Sequence, residues 1–218
     1  MGFVGQARGA RLIAQLTSLG IGEATQPWEF PPRRTPWFLD NGAFTFWRRG
    51  LPFDVAGFER AVSAARAHPA QPEWVVVPDV VADAPATLAL AAEWVPRLRA
   101  LGFRCALVVQ DGMAPETWPL WDVADVIFVG GSLPWKLSEA HRWCRAAREH
   151  GKPCHIGRVG SARRVAWARS ICADSIDSCV PLWSADNLRN WSGALYDEAP
   201  TQLQFGWTPP PATARRSA

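Results

Sequence analysis

Short apolar segments recur along this chain, and nearly every one is followed by an acidic, amide or glycine residue. The predicted strands are 37–39 ending at Asp40, 74–79 ending at Asp79, 104–109 before Gln110, 125–129 before Gly130-Gly131, 153–157 before Arg158, and 174–177 ending at Asp177. Continuous apolar runs are typical of parallel strands that are covered on both faces. Together with the helical segments between them, they predict an α/β protein with a parallel sheet.

Apolar residues recur at helical spacing between these strands. The predicted helices are 7–19, 54–67, 83–101, 136–150, 161–171 and 185–195, and a weak strand over 20–24 precedes a proline-rich loop. The strands then number about eight, which predicts a compact single-domain (β/α)8 barrel, with an open doubly wound sheet as the alternative. We favour the barrel because it brings all the polar strand ends to one mouth, whereas an open sheet gathers only those at its switch point.

The length and composition fit one domain. The chain has 218 residues, of which 48% are hydrophobic, so we expect a single core within residues 1–207. The tail over 208–218 is rich in proline and alanine and is predicted to be disordered. No apolar run approaches the roughly 20 residues that span a bilayer.

The positive charge is carried almost entirely by arginine. The net charge is +3, and Lys136 and Lys152 are the only lysines among 23 basic residues. Arginine suits phosphate groups and guanine edges, although a GC-rich genome explains its abundance equally well. The five cysteines form no C-x-x-C pair, which predicts no zinc site and a reduced, cytoplasmic protein.

A glycine-marked turn precedes a basic helix near the end of the chain. Residues 155–161 contain Gly157 and Gly160, and the helix that follows carries Arg163 and Arg164. A helix amino end of this kind is suited to phosphate, so Arg158, Arg163, Arg164 and Lys136 are candidate contacts to a nucleic-acid backbone. The alternative is a solvated helix face. For Asp177, the alternative to a role in catalysis is that its side chain caps a turn.

The strand ends also resemble the tRNA-guanine transglycosylase family. Residues 40–44 (DNGAF) are similar to its Asp-Ser-Gly-Gly-Phe, 109–112 to its Val-Gln-Gly-Gly, 129–131 to its Ile-Gly-Gly, 155–161 to its Met-Gly-Val-Gly-Thr, and 174–177 to its Asp-x-Phe-Asp. Their order and spacing over residues 38–181 are more specific than any single motif. The nearest resemblance is to the reduced, DNA-acting, deazapurine-in-DNA branch, found in phages and bacterial genomic islands.

The resemblance implies a role for each matching residue. Asp177 corresponds to the nucleophile and Asp40 to the general acid and base. Asp79, Gln110, Gly130 and Gly131 fall where the family contacts the purine, and Phe44 is a candidate to stack on it. The implied partners are DNA and a free 7-deazaguanine base, with no cofactor and no metal. An accessory protein that opens the duplex is a further candidate partner, and the oligomeric state is left open.

Two departures from the family narrow the expected substrate. The chain lacks the Cys-x-Cys-x-x-Cys and His zinc insertion of the full-length tRNA enzymes, which favours DNA over tRNA. Ala43 and Ser178 replace the second glycine and the cysteine of the family's motifs. The resemblance thus implies exchange of guanine in DNA for 7-cyano-7-deazaguanine or a derivative, in a bacterial or phage-infected cell.

Physical chemistry supports two carboxyl groups for such a reaction. One carboxylate can trap the anomeric carbon covalently while a second group protonates the departing base. Three alternatives stay open: an N-glycosidase that uses water, a metal-dependent hydrolase using some of four histidines, and a non-catalytic DNA-binding module. The four histidines are His68, His141, His150 and His155.

Overall fold

The computed structural model describes residues 1–196 and closes eight parallel strands into one barrel. Each strand pairs with the next along the chain, and the last pairs with the first through Phe3 opposite Asp177. The (β/α)8 prediction is confirmed, and the open sheet is excluded because no strand is left as an edge. The segment 208–218, predicted to be disordered, lies outside the described residues.

Most strands and helices lie where the sequence predicts them. The strands are β1 (Gly2–Val4), β2 (Gly22–Thr25), β3 (Trp37–Leu39), β4 (Val75–Val76), β5 (Cys105–Val109), β6 (Val126–Val129), β7 (Cys154–Ile156) and β8 (Ser175–Ser178). The α-helices of the described residues are α1 (Ala10–Ser18), α2 (Ala43–Arg48), α3 (Val55–Ala67), α4 (Ala84–Ala100), α5 (Leu133–Glu149), α6 (Ala162–Ser170) and α7 (Ala185–Tyr196).

Side-chain caps fix where several helices begin. The carboxylate of Asp54 accepts the Gly57 N–H at 2.8 Å and starts α3, as predicted. Helix α5 begins at Leu133, three residues before the predicted start, because Ser132 caps it and Pro134 lies in its first turn. Proline is tolerated there since the first-turn N–H groups have no partner within the helix.

Helix α2 was not predicted, because the sequence indicated only a turn after Asp40. Six residues are too few to show helical periodicity, so the pattern gave no signal. Gly42 begins the helix with φ 79°, and a Cβ there would lie 2.6 Å from the ring of Trp28. Glycine therefore permits both the left-handed backbone and the close approach that places α2 over the barrel mouth.

The barrel interior is filled by aromatic rings. Phe3, Phe38, Trp74 and Phe128 are buried inside it, and Phe38 stacks on Trp74 with ring centroids 5.2 Å apart. Full burial of each phenylalanine contributes roughly 2 kcal/mol. This packing fills the barrel interior beneath the carboxyl ends of the strands. No helix within residues 1–196 has the length and apolar character needed to cross a membrane.

Candidate active site

A cavity of about 520 Å³ opens at the carboxyl ends of the strands. It brings together most of the residues that the sequence singled out. Those lining it are Asp40, Phe44, Asp79, Gln110, Gly130, Gly131, Arg158, Arg164 and Asp177. A smaller cavity of about 320 Å³ lies beside α3, but its carboxylate, Asp54, already caps that helix. The larger cavity is therefore the candidate active site.

Asp177 projects from β8 into this cavity and is held at both oxygens. Its Oδ1 accepts the Arg158 backbone N–H at 2.9 Å, and its Oδ2 lies 2.9 Å from Nε2 of His155. Burial alone would raise the pKa of Asp177, but the hydrogen bond and charge of His155, the Arg158 N–H and the charge of Lys136 together lower it. The side chain is therefore a carboxylate that remains 13% exposed to the cavity.

Asp40 follows β3, and its pKa is shifted in the opposite direction. Its carboxyl accepts the Gly42 N–H at 3.0 Å and the Gln26 side-chain amide at 2.9 Å. Burial raises the pKa of Asp40, and the nearby negative charge of Asp177 raises it further, against the effect of the two donors. The cavity thus holds one carboxyl group whose pKa is raised and one whose pKa is lowered.

Asp79 lies after β4 and is fixed by two amide side chains. Asn41 donates to its Oδ1 at 2.7 Å, and Gln110 donates to its Oδ2. Burial raises the pKa of Asp79 to about 6, and the charge of Asp40 adds to this, while the two amides oppose it. Each oxygen keeps a second lone pair, so the carboxylate can still accept from a ligand.

Gln110 is a support for Asp79 as well as a wall of the cavity. Its amide oxygen accepts the backbone N–H groups of Gly131 at 2.8 Å and Ala82 at 3.0 Å, which fixes the amide nitrogen toward Asp79. A Cβ on Gly130 would lie 2.6 Å from Val108 and 3.1 Å from the Gln110 nitrogen. The glycine therefore lets the β6 end approach the amide closely.

Arg158 crosses the cavity rather than pointing to the outer surface. Its guanidinium carbon lies 4.0 Å from the centroid of the Phe44 ring, and Nη2 donates to the carbonyl of Gly131. Its backbone has φ 63°, a left-handed conformation that costs a non-glycine residue about 1 kcal/mol or more. The bond from its N–H to Asp177 depends on this turn.

The four residues that were predicted to contact phosphate lie in different surroundings. Arg158 and Arg164 line the cavity, whereas Arg163 is exposed on α6 outside the lining. Lys136 is only 3% exposed, and its amine donates to the carbonyl of Gly157. The prediction that Lys136 contacts phosphate is therefore not supported, because its charge lies beneath the cavity and acts on Asp177.

Three residues of the site have supporting contacts that the sequence did not predict. Gln26 and Asn41 hold Asp40 and Asp79, and His155 contacts Asp177 from inside the barrel. Period-two alternation places His155 and Gly157 on the same face of their strand, which gives a signal for an inward histidine. Gln26 gives no such signal because it lies in a loop.

Residues 1–196 contain no group of three or more His, Cys, Asp or Glu side chains placed to hold a metal ion. His155 is inside the barrel, while His150 stacks on Trp121 and His68 contacts Phe30 and Trp37. Comparison of the sequence with protein-family models and with curated proteins gave no match.

Proposed function

We propose that this protein is a DNA-guanine transglycosylase. It exchanges guanine in DNA for a 7-deazaguanine base, 7-cyano-7-deazaguanine or a derivative, through a covalent bond between Asp177 and the deoxyribose. The observation that carries the proposal is the pair of carboxyl groups in one cavity, Asp177 with a lowered pKa and Asp40 with a raised pKa. Paired acids whose pKa values are driven apart are suited to nucleophile and acid roles.

In the first half of the reaction, a carboxylate oxygen of Asp177 bonds to C1′ of the deoxyguanosine. The C1′–N9 bond breaks, its electron pair goes to the guanine, and Asp40 supplies the proton that the departing base needs. The raised pKa of Asp40 favours the protonated form that this step requires. Guanine then leaves as the neutral base.

In the second half, the deazaguanine enters the same cavity. Asp40, now ionised, removes the proton from its N9, and N9 bonds to C1′ while the bond from C1′ to Asp177 breaks. The electron pair returns to the Asp177 carboxylate, and Asp40 is protonated again. Exchange therefore consumes no oxidant, reductant or metal-bound group.

The polar walls of the cavity suit a guanine-like base. The free lone pairs of Asp79 match the N1–H and amino donors of a guanine Watson–Crick edge. Backbone at Gly130 and Gly131 permits close approach of a base, while the Phe44 ring lines the cavity beneath the Arg158 guanidinium and stacks on Trp47. Around the mouth, Arg164 and the 73% exposed Trp183 are suited to phosphate and to an unstacked base. A base within a duplex has to be flipped out to reach this depth.

The test is intact-protein mass spectrometry after mixing the protein with guanine-containing DNA. We expect a covalent DNA adduct with the wild type and none with Asp177→Asn. Asp186→Asn is a matched control, since Asp186 is exposed on α7 in a surface ion pair and should leave the adduct unchanged.

Three further outcomes separate the alternatives. Release of guanine without incorporation of a supplied deazaguanine would indicate an N-glycosidase in place of a transglycosylase. An adduct with tRNA and none with DNA would show that the substrate is tRNA. Absence of any adduct, with DNA binding retained in Asp177→Asn, would overturn the enzyme proposal in favour of a binding module.

A further inference from the structure

His155 is a polar ring enclosed in the aromatic interior of the barrel. It belongs to β7, has no exposed surface, and lies between the rings of Phe3, Phe38, Trp74 and Phe128, with centroids 4.6 to 6.1 Å away. A polar group in such surroundings costs free energy unless its nitrogen atoms are hydrogen-bonded. Both nitrogens of His155 have partners.

The partners of His155 lie on the neighbouring strand. Nδ1 is 2.8 Å from the hydroxyl of Ser175, and Nε2 is 2.9 Å from Oδ2 of Asp177. His155 is opposite Ser175 in the register of β7 and β8, and Asp177 is two residues further on the same face. The three side chains therefore form one row that leads from the closed interior to the cavity.

The chemistry of Asp177 assigns a proton to Nε2 of His155. An ionised carboxylate can only accept, so Nε2 carries the hydrogen and donates to Asp177. Nδ1 is the second hydrogen-bonding nitrogen of the ring, and the Ser175 hydroxyl can donate to it or accept from it. A hydrogen bond to a charged acceptor is stronger than one between neutral groups, and the apolar cage strengthens it further.

We propose that His155 is a positioning residue that accelerates breakdown of the covalent intermediate more than its formation. This inference rests on the proposed function, in which Asp177 is the nucleophile. In the intermediate Asp177 is a neutral ester, to which the His155 N–H donates only weakly. When the Asp177–C1′ bond breaks, the carboxylate charge returns next to that N–H. His155 therefore favours the departure of Asp177.

His155 keeps its proton throughout the breakdown of the intermediate. The electron pair of the breaking bond returns to Asp177, the new bond joins C1′ to N9 of the incoming deazaguanine, and Asp40 takes the N9 proton. Without the N–H donor, Asp177 would be a more basic group that attacks readily but leaves slowly, as leaving groups of higher pKa do. The signature of His155 is therefore unequal effects on the two half-reactions.

The experiment follows the adduct by rapid quench, first as it forms on guanine-containing DNA and then as it decays after 7-cyano-7-deazaguanine is added. In His155→Phe, which fits the aromatic cage but has no donor, we expect decay at least about tenfold slower and formation within about threefold of the wild type. His155→Gln, whose amide can donate toward Asp177, should recover part of the decay rate. His150→Phe, on the surface at the end of α5, should match the wild type.

Each outcome of this experiment supports or overturns the role of His155. Equal slowing of formation and decay in His155→Phe, or unchanged decay, would overturn it while leaving the proposed function intact. A wild type without an adduct would overturn both. If circular dichroism shows that His155→Phe does not fold, Ser175→Ala replaces it, because it frees Nδ1 and weakens the orientation of the ring. Ser175→Ala should slow decay more than formation, and equal effects on both steps would again overturn the inference.

Discussion

Gln110 and Asp79 are bonded to each other at the floor of the cavity, with the Gln110 amide nitrogen 2.5 Å from Oδ2 of the carboxylate. Asn41 donates to the other oxygen at 2.7 Å. Two amides thus orient one acid whose pKa burial has raised to about 6. A carboxylate held this way presents its remaining lone pairs in a fixed direction, and its charge changes just below neutral pH.

The affinity for free 7-deazaguanine base should therefore depend on pH. Asp79 is charged above about pH 6, and the charged form is the better acceptor for the base N–H donors, so affinity should fall as the pH drops below about 6. Asp79→Asn should bind about ten- to a hundredfold more weakly and without this pH dependence. Isothermal titration calorimetry between about pH 5 and 8 measures both. Constant wild-type affinity across that range would refute the assignment.

Asp40→Asn should lose activity on guanine and regain it on a base that leaves without being protonated. A 7-methylguanine in DNA already carries a positive charge and departs as a neutral base, so it needs no acid. With ordinary guanine we expect adduct formation to fall by about a hundredfold or more, the usual contribution of acid catalysis. With 7-methylguanine the variant should approach the wild type.

Asp177→Asn is the control for that experiment, because loss of the proposed nucleophile cannot be relieved by a better leaving group. Equal losses on both bases in Asp40→Asn would show that Asp40 is not the acid. Adduct yield by mass spectrometry, on matched oligonucleotides that differ only in the methyl group, gives the comparison.

Gly130→Ala and Gly193→Ala should have opposite effects. The new Cβ at Gly130 would displace Val108 and the Gln110 amide, so we expect destabilisation by about 1–3 kcal/mol and loss of base binding. Gly193 lies within α7 with nothing near its added Cβ, so alanine should stabilise the protein by about 0.5–1 kcal/mol and leave activity unchanged. Urea unfolding and base titration test the pair.

Lys136→Met should change how stability varies with pH. Burial, followed by the charge of Arg158, lowers the pKa of Lys136 to about 7, from 10.5 for an ordinary lysine. The unfolded chain therefore binds a proton that the folded chain resists, and stability falls as the pH decreases from about 10.5 toward 7, by up to about 5 kcal/mol. This slope should be absent in Lys136→Met.

The other lysine of the chain provides the comparison for that measurement. Lys152 lies on the turn after α5 and is partly exposed, so Lys152→Met should retain the wild-type slope. Urea midpoints at several pH values give the slopes. Identical slopes for the wild type and Lys136→Met would contradict the lowered pKa.

Arg158→Gly and Cys172→Gly both relieve a left-handed backbone, with φ of 63° and 59°, but only the first should impair activity. Cys172 follows α6 outside the cavity, so glycine should stabilise the protein by about 0.5–1 kcal/mol. Arg158→Gly keeps the N–H bond to Asp177 but loses the guanidinium over Phe44, so adduct formation should fall about tenfold or more. Thermal unfolding and adduct yield separate the two effects. Full activity in Arg158→Gly would exclude a role for its side chain.

The strands and their polar ends could be predicted from the sequence. Continuous apolar runs at β5 and β6, and the helices capped by Asp54 and Asp83, follow from local patterns that depend on only a few neighbouring residues. In a parallel barrel all strand ends meet at one mouth, so Asp40, Asp79, Gln110 and Asp177 could be assigned to one site before their contacts were known.

Only the tertiary structure decided how these groups are paired and charged. The bond from His155 to Asp177 depends on the register of β7 against β8, and the bond from Gln26 to Asp40 depends on a loop between β2 and β3. Lys136 lies in a helical pattern with no sign that its amine is buried. Register, loop conformation and burial are set by contacts between residues far apart in the chain, and local sequence patterns do not encode them. Sequence alone thus identified most of the residues that line the cavity, and the tertiary structure determined which carboxyl group has its pKa raised and which has it lowered.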